Sequence, residues 1–461
     1  MISSIARRIA PCVRAASVGV AATLCAGAQV WTGQAPPVPD PANVLIVVVD
    51  DVGVDLVGAW GIADAPPTPT IDNLAHNGVL FSRAYAQPVC SPTRATIMTG
   101  RYGFRTLIGT PIRPNNFSYP LQLSELTFVQ VLTAQACVPI ANGAIGKWHL
   151  GSLADGGLLS PNNHGFQWFA GTIANLAAGD NYFAFQRDVN GVESLCTTYA
   201  TTQQVDDALA RIHAMPEPWC LYLAFNAPHQ PYHAPPQALH TYTLSGNPQL
   251  TPELHARAAM QALDTELGRM LASIEPGVLA RTTLLLIGDN GTDSDVAEPP
   301  FQPNTVKGSL YEGGVHVPLL AWGKRVASPG RVCDALVNSV DLFPTVLDLF
   351  RDQAETSLPK PLPIDGVSLM PYLLEAKPQA QREYVYADHF SPNGPGPYAF
   401  FDRMVRDARW KLIVHDDGGD EFYDIGDALV EGENLLAHEL NAEQLAAYAR
   451  LSQALDDITS Q

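Results

Sequence analysis

Three short, uninterrupted apolar runs, each ending in polar residues, constrain the fold of this chain more than any other feature. Residues 44–49 stop at Asp50-Asp51. Residues 221–225 lead to Asn226 and His229, and residues 283–287 end, after Gly288, at Asp289-Asn290. A run with no polar alternation fits a strand covered on both faces, as inside a parallel sheet. Between these runs, residues 124–134, 201–213, 251–274 and 340–350 carry apolar residues at three- and four-residue spacing, so helices are expected there. Strands alternating with helices predict an α/β fold with a large mixed, mostly parallel central sheet sandwiched by helices. Ligands of such sheets sit beyond the carboxyl ends of the strands, which places Asp50, Asp51, His229, Asp289 and Asn290 on one rim.

From residue 371 the texture changes. Short strands at 384–387, 404–406, 410–414 and 421–425 and a closing helix at 441–455 predict a small C-terminal antiparallel-sheet subdomain over 371–461, after a main domain over 42–370. At the other end, Arg7, Arg8 and Arg14 precede an apolar, small-residue stretch that closes on Ala26-Gly27-Ala28. Residues 1–28 are therefore expected to be an export signal and the Pro-rich residues 29–41 a linker, which implies a periplasmic or secreted protein. A folded protein retained in the cytoplasm is the alternative. No run of eighteen apolar residues occurs, so no stable membrane insertion is expected. A net charge of −19 argues against a nucleic-acid partner, which needs clustered Lys and Arg. It leaves room for a small anion in a local pocket of a few cations. Cys137, Cys196, Cys220 and Cys333 allow three full pairings, and spacing does not choose among them.

Adjacent carboxylates at a strand end repel each other, and burial raises the cost. A bound cation at Asp50-Asp51 would relieve it, and Asp289-Asn290 repeats the pattern on another strand. A donor set of carboxylate and amide oxygens suits Ca²⁺ or Mg²⁺ rather than zinc. Cys90 is out of keeping with such a site, because a thiolate is a soft ligand. Taken alone, a buried cysteine reads as an inert small hydrophobe.

The neighbours of Cys90 reverse that reading. Cys90-Ser91-Pro92-Thr93-Arg94, followed by Thr99-Gly100, resembles the sulfatase signature C-x-P-x-R-x4-T-G. Asp50-Asp51-Val52-Gly53 and Gly288-Asp289-Asn290-Gly291 are similar to the two metal motifs of that family. Gly146-Lys147-Trp148-His149-Leu150-Gly151 matches its G-K-W-H-L-G segment. Pro228-His229 with Pro231, and Lys307-Gly308 with Tyr311-Glu312-Gly313-Gly314, resemble two more elements, all in the family's order. Arg406, Lys411-Leu412-Ile413 and Phe422-Tyr423-Asp424 resemble its terminal subdomain less specifically. Alone, Lys147 and Lys307 would read as surface lysines, and His149 and His229 as structural histidines; the joint occurrence outweighs those readings.

The resemblance implies that Cys90 is oxidised to formylglycine by a formylglycine-generating enzyme. It implies one Ca²⁺, with Mg²⁺ the second choice, held by Asp50, Asp51, the modified Cys90, Asp289 and Asn290. The aldehyde hydrate would attack the sulfur of a sulfate ester, its ionised form favoured by the metal and Arg94. Lys147 and Lys307 would hold sulfate oxygens, and His229 with Lys307 would protonate the leaving oxygen. His149 would take a proton from the second hydroxyl and expel sulfate. The expected substrate is a sulfated small molecule or saccharide. A phosphonate monoester or phosphodiester hydrolase with the same core, and an unmodified protein that only binds sulfated glycan, are the competing readings. Specificity is expected in loops 151–181 and 293–304. Trp168, Phe169, Tyr182 and Phe183 are candidates there for a subsite, with core packing the favoured reading.

Overall fold

The three apolar runs lie side by side at the centre of a ten-stranded sheet. The computed structural model describes residues 42–113, 118–135, 138–176, 181–350 and 363–460. The expected signal and linker and Cys137 lie outside these residues. In chain order the sheet contains β1 (Asn43–Val49), β2 (Val79–Tyr85), β3 (Ala141–Lys147), β4 (Phe169–Thr172), β5 (Phe185–Val189), β6 (Val192–Cys196), β7 (Trp219–Ala224), β8 (Thr282–Gly288), β9 (Leu319–Gly323) and β10 (Arg331–Asn338). Its spatial order is β10-β2-β9-β8-β1-β7-β3-β4-β5-β6.

The block β8-β1-β7-β3-β4 is parallel throughout. β9 inserts antiparallel between β8 and β2, and β5 and β6 form an antiparallel edge hairpin. The sheet is thus mixed and mostly parallel, as the apolar runs indicate. Every residue of β1, β3, β7 and β8 is buried. Alternate side chains of β1 feed two separate cores. Val44, Ile46 and Val48 face one, with Phe343 and Val346 of the helix Leu342–Leu349; Leu45, Val47 and Val49 face the other, with Met260 and Leu263 of the helix Pro252–Ser273. Burial on both faces is what removed polar alternation from these runs.

A second sheet of β11 (Val385–Ser391), β12 (Phe400–Arg406), β13 (Trp410–Val414) and β14 (Glu421–Asp424) is antiparallel in sequential order. The helix Ala442–Ser460 packs Leu451 and Leu455 on Val405 and Leu412 of one face. The other face, through Val385, Met404 and Ile413, packs on Tyr85, Leu310 and Val315 of the large-sheet part. Cys90, Cys196, Cys220 and Cys333 are free thiols. Among the described residues no helix is long and apolar enough to cross a membrane.

Candidate active site

The carboxyl ends of β1, β3, β7 and β8 converge on the first turn of one helix. That helix, Cys90–Thr99, starts at Cys90 and ends at Gly100, whose φ of 68° lets its N–H close on Thr96 O at 2.8 Å. All ten helical residues are buried. Cys90 therefore sits at a helix N-terminus, where backbone N–H groups favour negative charge.

Around it, three carboxylates meet three cations. Asp50, at the end of β1, receives Lys147 Nζ on Oδ2 at 2.5 Å. Asp51 adopts φ 60° and receives Lys307 Nζ on Oδ2 at 2.6 Å. Asp289 Oδ2 takes Arg94 Nε at 3.1 Å and its terminal nitrogen at 2.8 Å. Asp289 Oδ1 accepts the Asp51 N–H at 3.0 Å, and Asn290 Nδ2 donates to Asp51 Oδ1 at 2.9 Å. Burial pushes Asp51 up, but Lys307, His229 and Lys147 outweigh it and hold the carboxyl well below the usual range. Burial, with Asp50 beside it and against Arg94, pushes Asp289 up to about 7.

The two histidines flank this cluster. His149 Nδ1 lies 3.1 Å from Cys90 Sγ. Burial, then Lys147 and Arg94, push His149 well below its ordinary value, so it is neutral. His229 directs Nε2 at Asp51 Oδ2, 3.6 Å away, while its Nδ1 bonds Gln230 O at 2.7 Å. Burial, opposed by Asp51 and assisted by Lys147 and Lys307, brings His229 down to about 4. Burial pushes the Cys90 thiol up to about 11, with Lys147 opposing and Asp289 and Asp50 adding to the rise. At neutral pH the encoded residue is thus an uncharged thiol.

The donor set fits a hard cation. Ligand atoms of Asp50, Cys90 and Asp289 lie within 4.8 Å of one another. Asp50 Oδ1 and Asn290 Oδ1 are buried without a hydrogen-bond partner. Asp51 and Asn290 adjoin this trio through the bonds given above. All donors except the Cys90 sulfur are oxygen, and an oxygen in its place would complete a set suited to Ca²⁺ or Mg²⁺.

The fold thus brings together Asp50, Asp51, Cys90, Arg94, Lys147, His149, His229, Lys307, Asp289 and Asn290. It also shows supporting roles that sequence reasoning did not assign. Ser91 Oγ donates to His149 O at 2.7 Å and accepts the Ile112 N–H at 2.9 Å, which holds His149 at φ 58°. Tyr182 OH lies 2.6 Å from Asn226 O and 2.7 Å from His229 O, with one proton to share between them. Ser91 lies within the signature, which was its only signal; Tyr182 stood out only as an aromatic subsite candidate, with core packing the favoured reading. Of the aromatic candidates, Phe169 and Tyr182 are buried, whereas Phe183 is 40% exposed.

A model of the sulfatase family matches residues 42–352. The chain belongs to the sulfatase family. A second model, described as N-sulphoglucosamine sulphohydrolase, C-terminal, matches residues 306–461. The chain is 30% identical over 345 residues to an uncharacterized sulfatase, YdeN, of Escherichia coli (strain K12), covering 67% of this chain and 57% of that protein. It is 28% identical over 370 residues to N-acetylgalactosamine-6-sulfatase of Rattus norvegicus, covering 73% and 66%. The chain therefore spans 57–66% of the length of these two relatives. Its fold is similar to that of Ps i-CgsB in complex with k-i-k-neocarrahexaose (TM-score 0.76, 22% identity, 91% of this chain and 92% of that one). It is also similar to that of BT4656 in complex with D-glucosamine-2-N,6-O-disulfate (TM-score 0.68, 19% identity, 91% and 98%).

Proposed function

We propose that this sulfatase-family chain hydrolyses a sulfate ester to an alcohol and inorganic sulfate, with residue 90 as nucleophile after Cys90 has been oxidised to formylglycine. The observation that carries the reading is the surroundings of Cys90. A thiol pushed up to about 11 is a poor nucleophile at neutral pH, yet it sits at a helix N-terminus beside a neutral histidine and two lysines. Formylglycine would supply a hydrated aldehyde, with one oxygen to attack sulfur and a second hydroxyl for the exit. The implied Ca²⁺ would be held by Asp50, Asp51, Asp289, Asn290 and residue 90, and would supply positive charge to favour an ionised nucleophile.

The chain's own residues do the rest. Lys147 and Lys307 are the cations placed to bind sulfate oxygens and to offset charge that develops during transfer. Arg94 is committed to Asp289 and to Lys147 O, at 2.7 Å, so it orients the carboxylate and steadies the end of β3. His149, held neutral at hydrogen-bond distance from the residue 90 side chain, takes the proton from the second hydroxyl. His229 and Lys307 share Asp51 Oδ2 and form the proton source for the leaving oxygen. An arriving sulfate anion raises His229 from about 4 and so helps to charge it.

The substrate is proposed to be a sulfated saccharide or small sulfate ester. A formylglycine-generating enzyme is the required partner, and residues 1–28 are proposed as an export signal. The test is mass spectrometry of the residue 90 peptide together with turnover of an aryl sulfate and an aryl phosphonate monoester. The expected result is an aldehyde at residue 90 and faster cleavage of the sulfate, with Cys90→Ser stalling after one sulfation. An unmodified thiol in fully active protein, wild-type turnover by Cys90→Ser, or preference for the phosphonate would overturn the proposal.

A further inference from the structure

His229 sits on a segment that the backbone hardly holds. Residues 226–233 run Asn-Ala-Pro-His-Gln-Pro-Tyr-His, outside any strand or helix, and Pro228 and Pro231 have no N–H to donate. Among the described residues, the backbone–backbone bond of this segment is a single long one, from the Asp50 N–H to Ala227 O at 3.4 Å. A proton donor has to stay within hydrogen-bond reach of its target, so the task of holding His229 falls to side chains. Asn226 anchors one end: its Oδ1 accepts Gln204 Nε2 at 2.6 Å, and its Nδ2 donates to Thr172 Oγ1 at 3.1 Å. The Tyr182 hydroxyl reaches the other end, lying between Asn226 O and His229 O.

Tyr182 is itself fixed. It is fully buried and belongs to the turn 181–184, closed by two backbone bonds at 2.9 and 3.1 Å. Its carbonyl accepts the Ala200 N–H at 2.7 Å, at the start of the helix Ala200–Ala214. His233 braces the ring, stacking on it with centroids 3.8 Å and planes 20° apart. Pro231 O, 3.1 Å from His233 Nδ1, can only accept, so Nδ1 carries the proton. Nε2 is then an acceptor, met by Tyr199 OH at 3.0 Å. Burial pushes His233 down to about 4, which keeps it neutral in this role.

The same logic orients His229. Gln230 O, 2.7 Å from its Nδ1, can only accept, so Nδ1 keeps a proton and Nε2 is the atom that gains and gives one. Nε2 points at Asp51 Oδ2, 3.6 Å away, and a drift of the His229 backbone would take it off that line. We propose that Tyr182, braced by His233, is a positioning residue for proton transfer from His229 Nε2 to the leaving oxygen. As the S–O bond breaks, its electron pair stays on that oxygen and takes the Nε2 proton, which yields the alcohol and neutral His229. Tyr182, being fully buried, acts through His229 and not on the substrate. The proposal rests on the reading of His229 as proton source given above.

The experiment measures kcat/KM, which reports the steps up to alcohol release, for wild type, Tyr182→Phe and His229→Ala, each carrying formylglycine. The substrates are p-nitrophenyl, p-chlorophenyl and phenyl sulfate, whose leaving phenols are progressively less acidic and need the proton more. Tyr182→Phe keeps the ring on His233 and removes only the hydroxyl. It should lose about tenfold more on phenyl than on p-nitrophenyl sulfate, a part of the roughly hundredfold or more that a general acid supplies. His229→Ala should show the same trend more steeply. Equal losses on all three sulfates, which a merely structural role would give, or no loss, overturn the proposal. Should Tyr182→Phe not fold, His233→Leu, which removes the stacked ring and leaves the hydroxyl, is read in the same way. If His229→Ala shows no leaving-group trend, or wild type cleaves none of the three, the reading of His229 as proton source fails. Crystal structures of wild type and the folded variant then judge the positioning alone: a displaced or split His229 ring in the variant supports it, and an unmoved ring overturns it.

Discussion

Glu312→Gln should reveal how the small sheet braces the active site. Glu312 begins the short helix Glu312–Val315 and is fully buried. Its Oε2 accepts Tyr85 OH at 2.8 Å and Arg406 at 3.0 Å; its Oε1 accepts Lys411 Nζ at 3.0 Å. Tyr85 ends β2, five residues before Cys90, whereas Arg406 and Lys411 come from β12 and β13. Lys411 also bonds Glu431 at 2.6 Å. Of the two carboxylates, Glu312 is the one held low. Burial pushes it up, but Lys411, Arg406 and His316 outweigh burial and hold it at about 2, while burial and then Glu312, against Lys411, push Glu431 up. A fall from 4.5 to about 2 corresponds to roughly 3 kcal/mol. Breaking one side of a buried ion pair costs about 3–5 kcal/mol, which agrees. Because the folded-state pKa is depressed, this stability is present above about 4.5 and is lost as pH falls toward 2. Urea unfolding should show Glu312→Gln about 3 kcal/mol less stable than wild type at pH 7, with the gap closing below pH 4.5. A gap under about 1 kcal/mol at pH 7, or one unchanged down to pH 3, would refute the reasoning.

Gly291 follows the metal-motif residue Asn290, and a Cβ there would lie 1.7 Å from Gly313 O. Gly291→Ala must displace backbone on one side or the other, so aryl sulfate turnover should fall by about a hundredfold or more, a scale expected when a reacting centre shifts by about 1 Å; activity within threefold of wild type would contradict this. Burial pushes Asp388 up to about 7 despite the Phe104 N–H and Tyr386 OH, so its contribution to stability is full below about 4 and is lost as pH rises through 7. Asp388→Asn should therefore unfold later than wild type at pH 8, by up to roughly 4 kcal/mol, with the advantage shrinking toward pH 5; equal unfolding midpoints at pH 8 would count against it. Calcium and inorganic sulfate should each bind about tenfold more tightly in the presence of the other, measured by calorimetry on Cys90→Ala, and independent affinities would rule this out.

The elements legible in the sequence are those whose burial leaves a plain mark. β1, β7 and β8 announce themselves as unbroken apolar runs, and the helix Pro252–Ser273 by its periodicity. β3, which carries Lys147, escaped that reading because it runs Ala-Asn-Gly-Ala-Ile-Gly-Lys. Its glycine is structural: Gly146 has φ 89°, and a Cβ there would lie 1.9 Å from Ala224 O of the neighbouring strand. The β5–β6 hairpin escaped because it sits at an edge, where one strand is only partly buried and the other mostly exposed, so neither forms an apolar run. Within the site, residue identities were legible through the motifs but pairings were not. Asp50 meets Lys147 across 97 positions, Asp289 meets Arg94 across 195, and Asp51 meets Lys307 across 256.

Those pairings change the reason for expecting a cation. In the sequence, Asp50-Asp51 argues for a metal by repulsion. In the fold, Lys147, Lys307 and Arg94 already meet the three carboxylates, so repulsion is relieved by the chain itself. What remains is a shortage of donors: Asp50 Oδ1 and Asn290 Oδ1 have no hydrogen-bond partner in a buried site, with a terminal nitrogen of Arg94 3.7 Å from Asp50 Oδ1. A divalent ion would satisfy both oxygens and would add two positive charges to a cluster of three carboxylates and three cations, which is costly in a buried setting unless anions accompany it. A sulfate monoester brings one negative charge, and a negatively charged oxygen at residue 90 brings the second. The thiol, pushed up to about 11, brings none at neutral pH. On the proposed function, metal, substrate and nucleophile would settle one charge balance together, the second negative charge coming from an ionisable oxygen at residue 90 in place of sulfur.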